Sequence, residues 1–201
     1  MKSQILIKAN NFIKNKVIET FGLLLALTSV FLLLSIASYS PDDPNFIYSP
    51  GESDIKNITG FYGSVISDFL LQSLGLTSFL VSFTILNWGL KIISEKKINH
   101  FANKIFYTLL YIIFGTLFLN IAFNHSFWLI SNGNGGFVGR ILKENIYYFT
   151  TLVENIYIVN FLIILTITFF ILSLDLKINQ ITKIISFPIL MTKKILRFIK
   201  R

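Results

Sequence analysis

The sequence predicts an all-α membrane protein with four transmembrane helices, and three observations carry that prediction. Of its 201 residues, 53% are hydrophobic and only 14% are charged, more apolar than a soluble domain of this size requires. Four long intervals between charged residues are strongly apolar. The basic residues concentrate in alternate connecting segments, which is typical of helical membrane proteins. No segment shows the alternating pattern of a membrane β-barrel, so helices must satisfy the backbone polar groups.

The lengths of the apolar intervals set the expected spans. A bilayer core about 30 Å thick needs about 20 helical residues, which predicts spans over residues 20–39, 67–90, 104–123 and 155–174. The spans form a transmembrane domain over 17–176, between a basic segment at 1–16 and a basic tail at 177–201. Cleavage of the first span as a secretory signal is the alternative. Its apolar run exceeds the usual length of about 7 to 15 residues, so we expect an anchor.

The distribution of charge predicts the orientation. Fifteen of the 18 Lys and Arg residues lie in the N-terminal segment, the connection between spans two and three, and the tail. With their acids, these segments carry a net charge of +12, whereas the opposite side carries −4. Since positive segments stay in the cytoplasm, we expect both termini to be cytoplasmic.

The outer connections contain two candidate ligand sites that we interpret as structural. Asp42 and Asp43 lie between prolines in a turn-rich loop and supply too few oxygens for a hard cation, so a solvated turn is favoured. The glycine-rich stretch 133–139 lacks the preceding strand, the soluble sheet and the Lys-Ser/Thr pair of a phosphate loop. We therefore expect a flexible entry into an interfacial helix that starts near Phe137 and precedes the fourth span.

Polar and small residues near the spans allow functional and structural interpretations. Asp68 and Gln72 lie one turn apart on one helix face, which suits either a proton relay or a polar packing contact, and the second is favoured because Asp68 is near the outer edge. Gly22/Ala26 and Ser78/Ser82 have the spacing of closely packed helices. The tail at 177–201 combines cations with apolar residues, so we favour anionic lipid headgroups over DNA as its partner.

Enzymatic chemistry has little support in this composition. The chain has no cysteine and two histidines, His100 and His125, which are expected on opposite sides of the membrane. We predict no catalytic residue, cofactor or metal.

Several motifs resemble the N-terminal membrane domain of the FtsK/SpoIIIE DNA translocases. The most specific is the string Ser38-Tyr39-Ser40-Pro41-Asp42-Asp43-Pro44-Asn45-Phe46, within which Ser40, Pro41, Asp42, Asp43 and Pro44 form the family signature. Other matching residues, expected to make helix-packing or polar contacts, are Asp68, Gln72, Gly75, Trp88 and Gly89. A matching outer glycine segment contains Gly135, Gly136 and Gly139. The resemblance spans about residues 15 to 175.

The resemblance implies a domain that anchors a translocase in the inner membrane at the division septum and helps it assemble. In that family a cytoplasmic motor hydrolyses ATP and pumps DNA, but this sequence has no Gly-x-x-x-x-Gly-Lys-Ser/Thr loop, so ATP turnover is not inherited. The chain is then either part of a truncated or split translocase or a stand-alone relative. Expected partners are anionic lipids, further copies of the chain and septal proteins, with DNA reached only through a motor.

A transporter or channel subunit is the rival interpretation, with Asp68 and Gln72 beside its path. Transport usually needs several polar groups at mid-depth, whereas these spans are almost wholly apolar.

Overall fold

A computed structural model describes residues 2–46, 55–123, 129, 132–150, 155–174 and 176, with side chains from residue 7 onward. The predicted basic tail at 177–201 lies outside the described residues. Those described form six helices and no strand, which confirms the all-α prediction. The helices are α1 (Lys2–Ala37), α2 (Gly60–Leu74), α3 (Thr77–Glu95), α4 (Phe101–Ala122), α5 (Gly136–Phe149) and α6 (Ile156–Ser173).

Four of these helices, α1, α3, α4 and α6, are long and apolar enough to cross a membrane. The number of spans therefore agrees with the sequence prediction. The helix α1 contains 36 residues and is about 54 Å long, well beyond the hydrocarbon thickness. The third and fourth helices of this set begin and end within three residues of the predicted intervals.

The predicted second span, 67–90, is not one continuous helix. The helix is interrupted at Gly75, because its φ of 58° and ψ of −146° are incompatible with a helix. The helix that is long and apolar enough to cross a membrane here is α3, Thr77–Glu95, and α2 is a separate helix. The sequence is apolar on both sides of Gly75, so a count of apolar residues does not show this interruption. The outward face of α2 is apolar, with Tyr62 and Phe69 exposed, while its polar Ser64 and Ser67 are buried.

Small residues bring α1 and α3 into close contact. A Cβ atom added to Gly89 would lie 2.7 Å from the Ala26 nitrogen and 2.8 Å from the Gly22 carbonyl oxygen. The Ser29 hydroxyl donates to the Ser82 carbonyl at 2.6 Å. The small-residue faces noted in the sequence are therefore packed within one chain.

Aromatic contacts dominate the second pair, α4 and α6. Tyr107 and Phe114 of α4 both stack on Phe169 of α6. Tyr111 is fully buried and shares a hydrogen bond of 3.0 Å with Thr84 of α3. The Trp88 indole donates to the Ser173 carbonyl at 2.9 Å, which ties α3 to the end of α6.

The two short helices join these pairs at the end where α1 finishes. The helix α5 begins at Gly136, one residue from the predicted start, and packs on α4 and α2. Its location at the membrane interface stays a prediction. The helix α2 also packs on α1, so one end of the bundle is covered by both short helices.

Candidate functional site: a polar cap at one end of the bundle

The candidate site is a polar cap, which we define as residues 38–46, 55–74 and 132–136. Its centre is Asp43, whose side chain is only 4% exposed. The Asp43 carboxylate accepts hydrogen bonds from the backbone N–H of Lys56 at 2.9 Å and of Asn57 at 2.8 Å. Because both carboxylate oxygens have charge-assisted partners, the buried charge is compensated. This acid therefore fastens the start of the loop to its end.

The neighbouring acid, Asp42, has a different role. Its carboxylate forms an ion pair of 2.6 Å with the Lys56 ammonium, and both side chains are mostly exposed. The hydrogen bond from this ammonium to Asp42 raises the pKa of Lys56. Exposed pairs of this kind contribute little to stability. The two acids are thus not equivalent ligands. Asp43 is a buried hydrogen-bond acceptor that we call the clasp, because it joins the two ends of the loop, and Asp42 belongs to a solvated ion pair.

The remaining signature residues shape the turn that positions Asp43. The Asp43 N–H donates to the Ser40 carbonyl at 3.2 Å, which closes a β-turn with Pro41 at its second position, where proline is favoured. The carbonyl of the buried Pro44 accepts a hydrogen bond from the Ser64 hydroxyl of α2. The signature therefore encodes a turn and its attachment to α2.

Sequence reasoning missed Asn57, the second hub of the cap, which is 4% exposed. Its side-chain N–H groups donate to the Ser35 carbonyl at 2.9 Å and the Ser67 hydroxyl at 3.3 Å. Its carbonyl oxygen accepts from the Thr59 N–H at 3.1 Å and the Thr59 hydroxyl at 2.7 Å. One amide thus joins α1, the loop and α2. Its sequence neighbours, among them Asp54 and Lys56, are polar and gave no signal of a buried hub.

A second polar chain contains Asp68 and Gln72. The Tyr39 hydroxyl donates to Asp68 Oδ1 at 3.0 Å, and Asn132 Nδ2 donates to Gln72 Oε1 at 2.9 Å. Burial, followed by the charge of Asp68, raises the pKa of Tyr39 to about 12. The hydroxyl therefore stays protonated and able to donate at neutral pH. These hydrogen bonds link the residues that follow α1, the helix α2 and the segment before α5.

The glycine segment is packed, which corrects our expectation of a flexible entry. The Leu76 N–H donates to the Asn134 carbonyl at 2.9 Å, and a Cβ on Gly75 would lie 1.9 Å from that oxygen. Gly136 has a φ of 64° and faces the Gly75 nitrogen. A Cβ on Gly139, or one on Gly135, would lie 2.3 Å from the Thr116 carbonyl oxygen of α4.

The other predicted contact residues, Trp88 and Gly89, lie in the bundle on α3 and not in the cap. His100 follows α3 in the short connection to α4, while His125 lies outside the described residues. Asp68 and Gln72 are on α2, which is not among the four spans. Their partners are cap residues rather than groups along a path between spans, which disfavours the transporter interpretation.

The comparison with known protein families supplies the identification. A family model described as the 4TM region of DNA translocase FtsK/SpoIIIE matches residues 14–184. The chain belongs to this family. The resemblance inferred from the signature string is therefore confirmed, and the polar cap is where the structure places that string in an FtsK/SpoIIIE 4TM region.

Relatives named DNA translocase FtsK agree with this assignment. The protein of Rickettsia bellii is 26% identical over 176 residues, which cover 88% of this chain and 22% of the relative. That of Azospirillum brasilense is 29% identical over 90 residues, or 44% of this chain and 14% of the relative. That of Caulobacter vibrioides is 35% identical over 74 residues, or 37% and 9%. The chain thus spans less than a quarter of these relatives' length. No solved structure matches it.

Proposed function

We propose that this 4TM region is the inner-membrane anchor and assembly domain of an FtsK-like DNA translocase acting in cell division and chromosome segregation. Both termini are cytoplasmic, the basic tail lies on anionic headgroups, and copies of the chain associate. DNA is reached only through a motor that these residues do not supply. The domain is itself no enzyme, since the sequence has no phosphate-binding loop for Mg-ATP.

The observation that carries the proposal is that the residues of the family signature hold the polar cap in one conformation. A loop needed only to connect two spans would not require a buried carboxylate with two amide partners. Such a clasp gives the loop one conformation, which is what a recognition surface needs. The cap exposes Phe46, Ile58 and Tyr62, each more than 70% accessible. Exposed apolar residues beside an ordered polar framework are suited to contact with another septal protein.

We expect a fluorescent fusion of the full chain to be enriched at midcell. Tyr62→Ser should abolish this enrichment while leaving the amount of membrane-inserted protein unchanged, because the side chain is exposed and the cap beneath it stays intact. Tyr148→Ser is the matched control, since Tyr148 is 87% exposed on α5, and should remain at midcell. Uniform envelope labelling of the unmodified fusion would contradict the septal role.

The orientation can be tested directly because the chain has no cysteine. A single cysteine at Lys56 should react with a membrane-impermeant maleimide in intact cells. One at Lys97 should react only after the inner membrane is permeabilised. One span, α3, lies between the two positions, so they are on opposite sides of the membrane. Both lysines are exposed, so access to reagent is the only difference measured. The reverse pattern of labelling would invert the proposed topology.

A further inference from the structure

The end of the bundle opposite the cap contains an apolar groove that the anchoring role does not use. It lies between α1, the end of α3 and the start of α4, and has a volume of about 440 Å³. This volume is within the range of about 300 to 1,000 Å³ typical of small-molecule sites. The apolar side chains that line it are Val17, Ile18, Phe21, Ile92, Ile98 and Phe101.

Two consecutive lysines, Lys96 and Lys97, complete the lining of this groove. Lys96 ends α3 in the left-handed conformation, with a φ of 58°, which turns the chain sharply toward α4. Its ammonium lies 3.0 Å from Glu19, which also binds Lys16 at 2.6 Å. Glu19 therefore fixes Lys96 against α1 at the groove. Lys97 is exposed and brings a further cation to the same rim.

Charge complementarity identifies the occupant. The segment 91–104, taken together with Lys16 and Glu19 of α1, has five lysines and two glutamates, so its surroundings favour an anion. The groove beside it is apolar and opens on the flank of membrane-spanning helices. A ligand that fits both parts has a hydrocarbon chain joined to an anionic head. Basic pockets between transmembrane helices bind phospholipid head groups in this way.

We propose that the groove binds one anionic phospholipid of the leaflet that contains the α3–α4 connection. An acyl chain lies against Val17, Phe21 and Phe101, and the phosphate contacts Lys97 and Lys96. This site is separate from the predicted contact between the tail and the membrane surface, because it has a shape as well as a charge. It depends on the described fold and not on the septal role.

The test uses the full chain in phosphatidylethanolamine nanodiscs that contain a small fraction of phosphatidylglycerol with a photoactivatable acyl chain. After illumination, the modified residues are mapped by mass spectrometry. Cross-links should concentrate on the groove side chains, and Lys97→Gln should reduce them about fivefold, the effect expected for one lysine. A phosphatidylcholine probe with the same acyl chain should label the groove no more than other lipid-facing surfaces.

Two further variants separate the groove from general surface charge. Lys8→Gln is the matched control, because Lys8 lies nine residues before Val17 and so on the opposite face of α1; its labelling should equal that of the unmodified chain. Val17→Trp fills the groove at a position that is 64% exposed and keeps every charge, and should also reduce labelling about fivefold. Equal labelling of the unmodified chain and either Lys97→Gln or Val17→Trp would overturn the proposal. An equal loss in Lys8→Gln would do so as well, by assigning the effect to net charge.

Discussion

Asp43→Ala will lower the free energy of unfolding by about 4 kcal/mol, the larger of the two substitution effects expected at the signature doublet. The variant removes the acceptor of two backbone N–H groups, that of Asn57, which is buried, and that of Lys56, which is part-buried. An orphaned buried donor costs about 1 to 3 kcal/mol, and here there are two, each losing a charged partner. The measurement is unfolding of the purified chain in mixed micelles at increasing SDS, followed by helical circular dichroism.

Asp42→Ala is the control for this experiment. It removes the same type of side chain from the adjacent position, but its ion pair with Lys56 is exposed. We expect a change within about 0.5 kcal/mol. Equal losses in the two variants would show that the doublet acts through its total charge, and the clasp assigned to Asp43 would be incorrect.

The spans could be predicted from sequence because lipid imposes one simple rule, that a helix must be apolar for its whole length across the membrane. The interval 155–174 therefore predicted α6, Ile156–Ser173, to within one residue at each end. The same rule failed at α2. The helix α2 has 15 residues, turns Tyr62 and Phe69 outward and is as apolar as α3. Counting apolar residues therefore does not detect the turn at Gly75.

The cap could be predicted only in part, for a different reason. Pro41 and its flanking residues have the local chemistry of a turn, which sequence displays directly. The partners of Asp43 lie 13 and 14 residues away, and those of Asn57 include Ser35, which is 22 residues away on α1. Contacts of that range depend on how the helices pack. The two adjacent acids consequently look equivalent in the sequence, although the fold buries one and exposes the other.

Polar contacts between separate segments make the parts of the cap interdependent. Asn57 joins the loop to α1, Ser64 joins it to α2, and the pair of Gln72 and Asn132 joins α2 to the glycine segment. Gly75 and its neighbours add backbone contacts to the glycine segment, at the turn from α2 into α3. A change at this turn should therefore disturb the outer connection that leads to α5 as well as α2.

Gly75→Ala should lower the free energy of unfolding by about 3 kcal/mol and release the glycine segment. The substituted residue would need a backbone conformation that costs a residue with a Cβ about 1 to 3 kcal/mol. Its Cβ would also lie 1.9 Å from the Asn134 carbonyl oxygen, so one backbone segment must move. Release can be measured with a cysteine at Leu129, which is 1% exposed and packs on Ile36 and Leu71. The reaction of this cysteine with maleimide should accelerate at least tenfold, because a local destabilisation of about 1.4 kcal/mol is enough for that change.

Gly60→Ala separates crowding from backbone strain in this last experiment. Gly60 also has a positive φ, of 71°, yet a Cβ there would meet nothing within 4 Å. We expect it to cost only about 1 kcal/mol, the penalty of the left-handed conformation, and to leave the Leu129→Cys reaction rate unchanged. If both alanine variants destabilise the chain equally, the turn at Gly75 requires glycine for its φ alone, and the contact with the glycine segment does not hold the cap together.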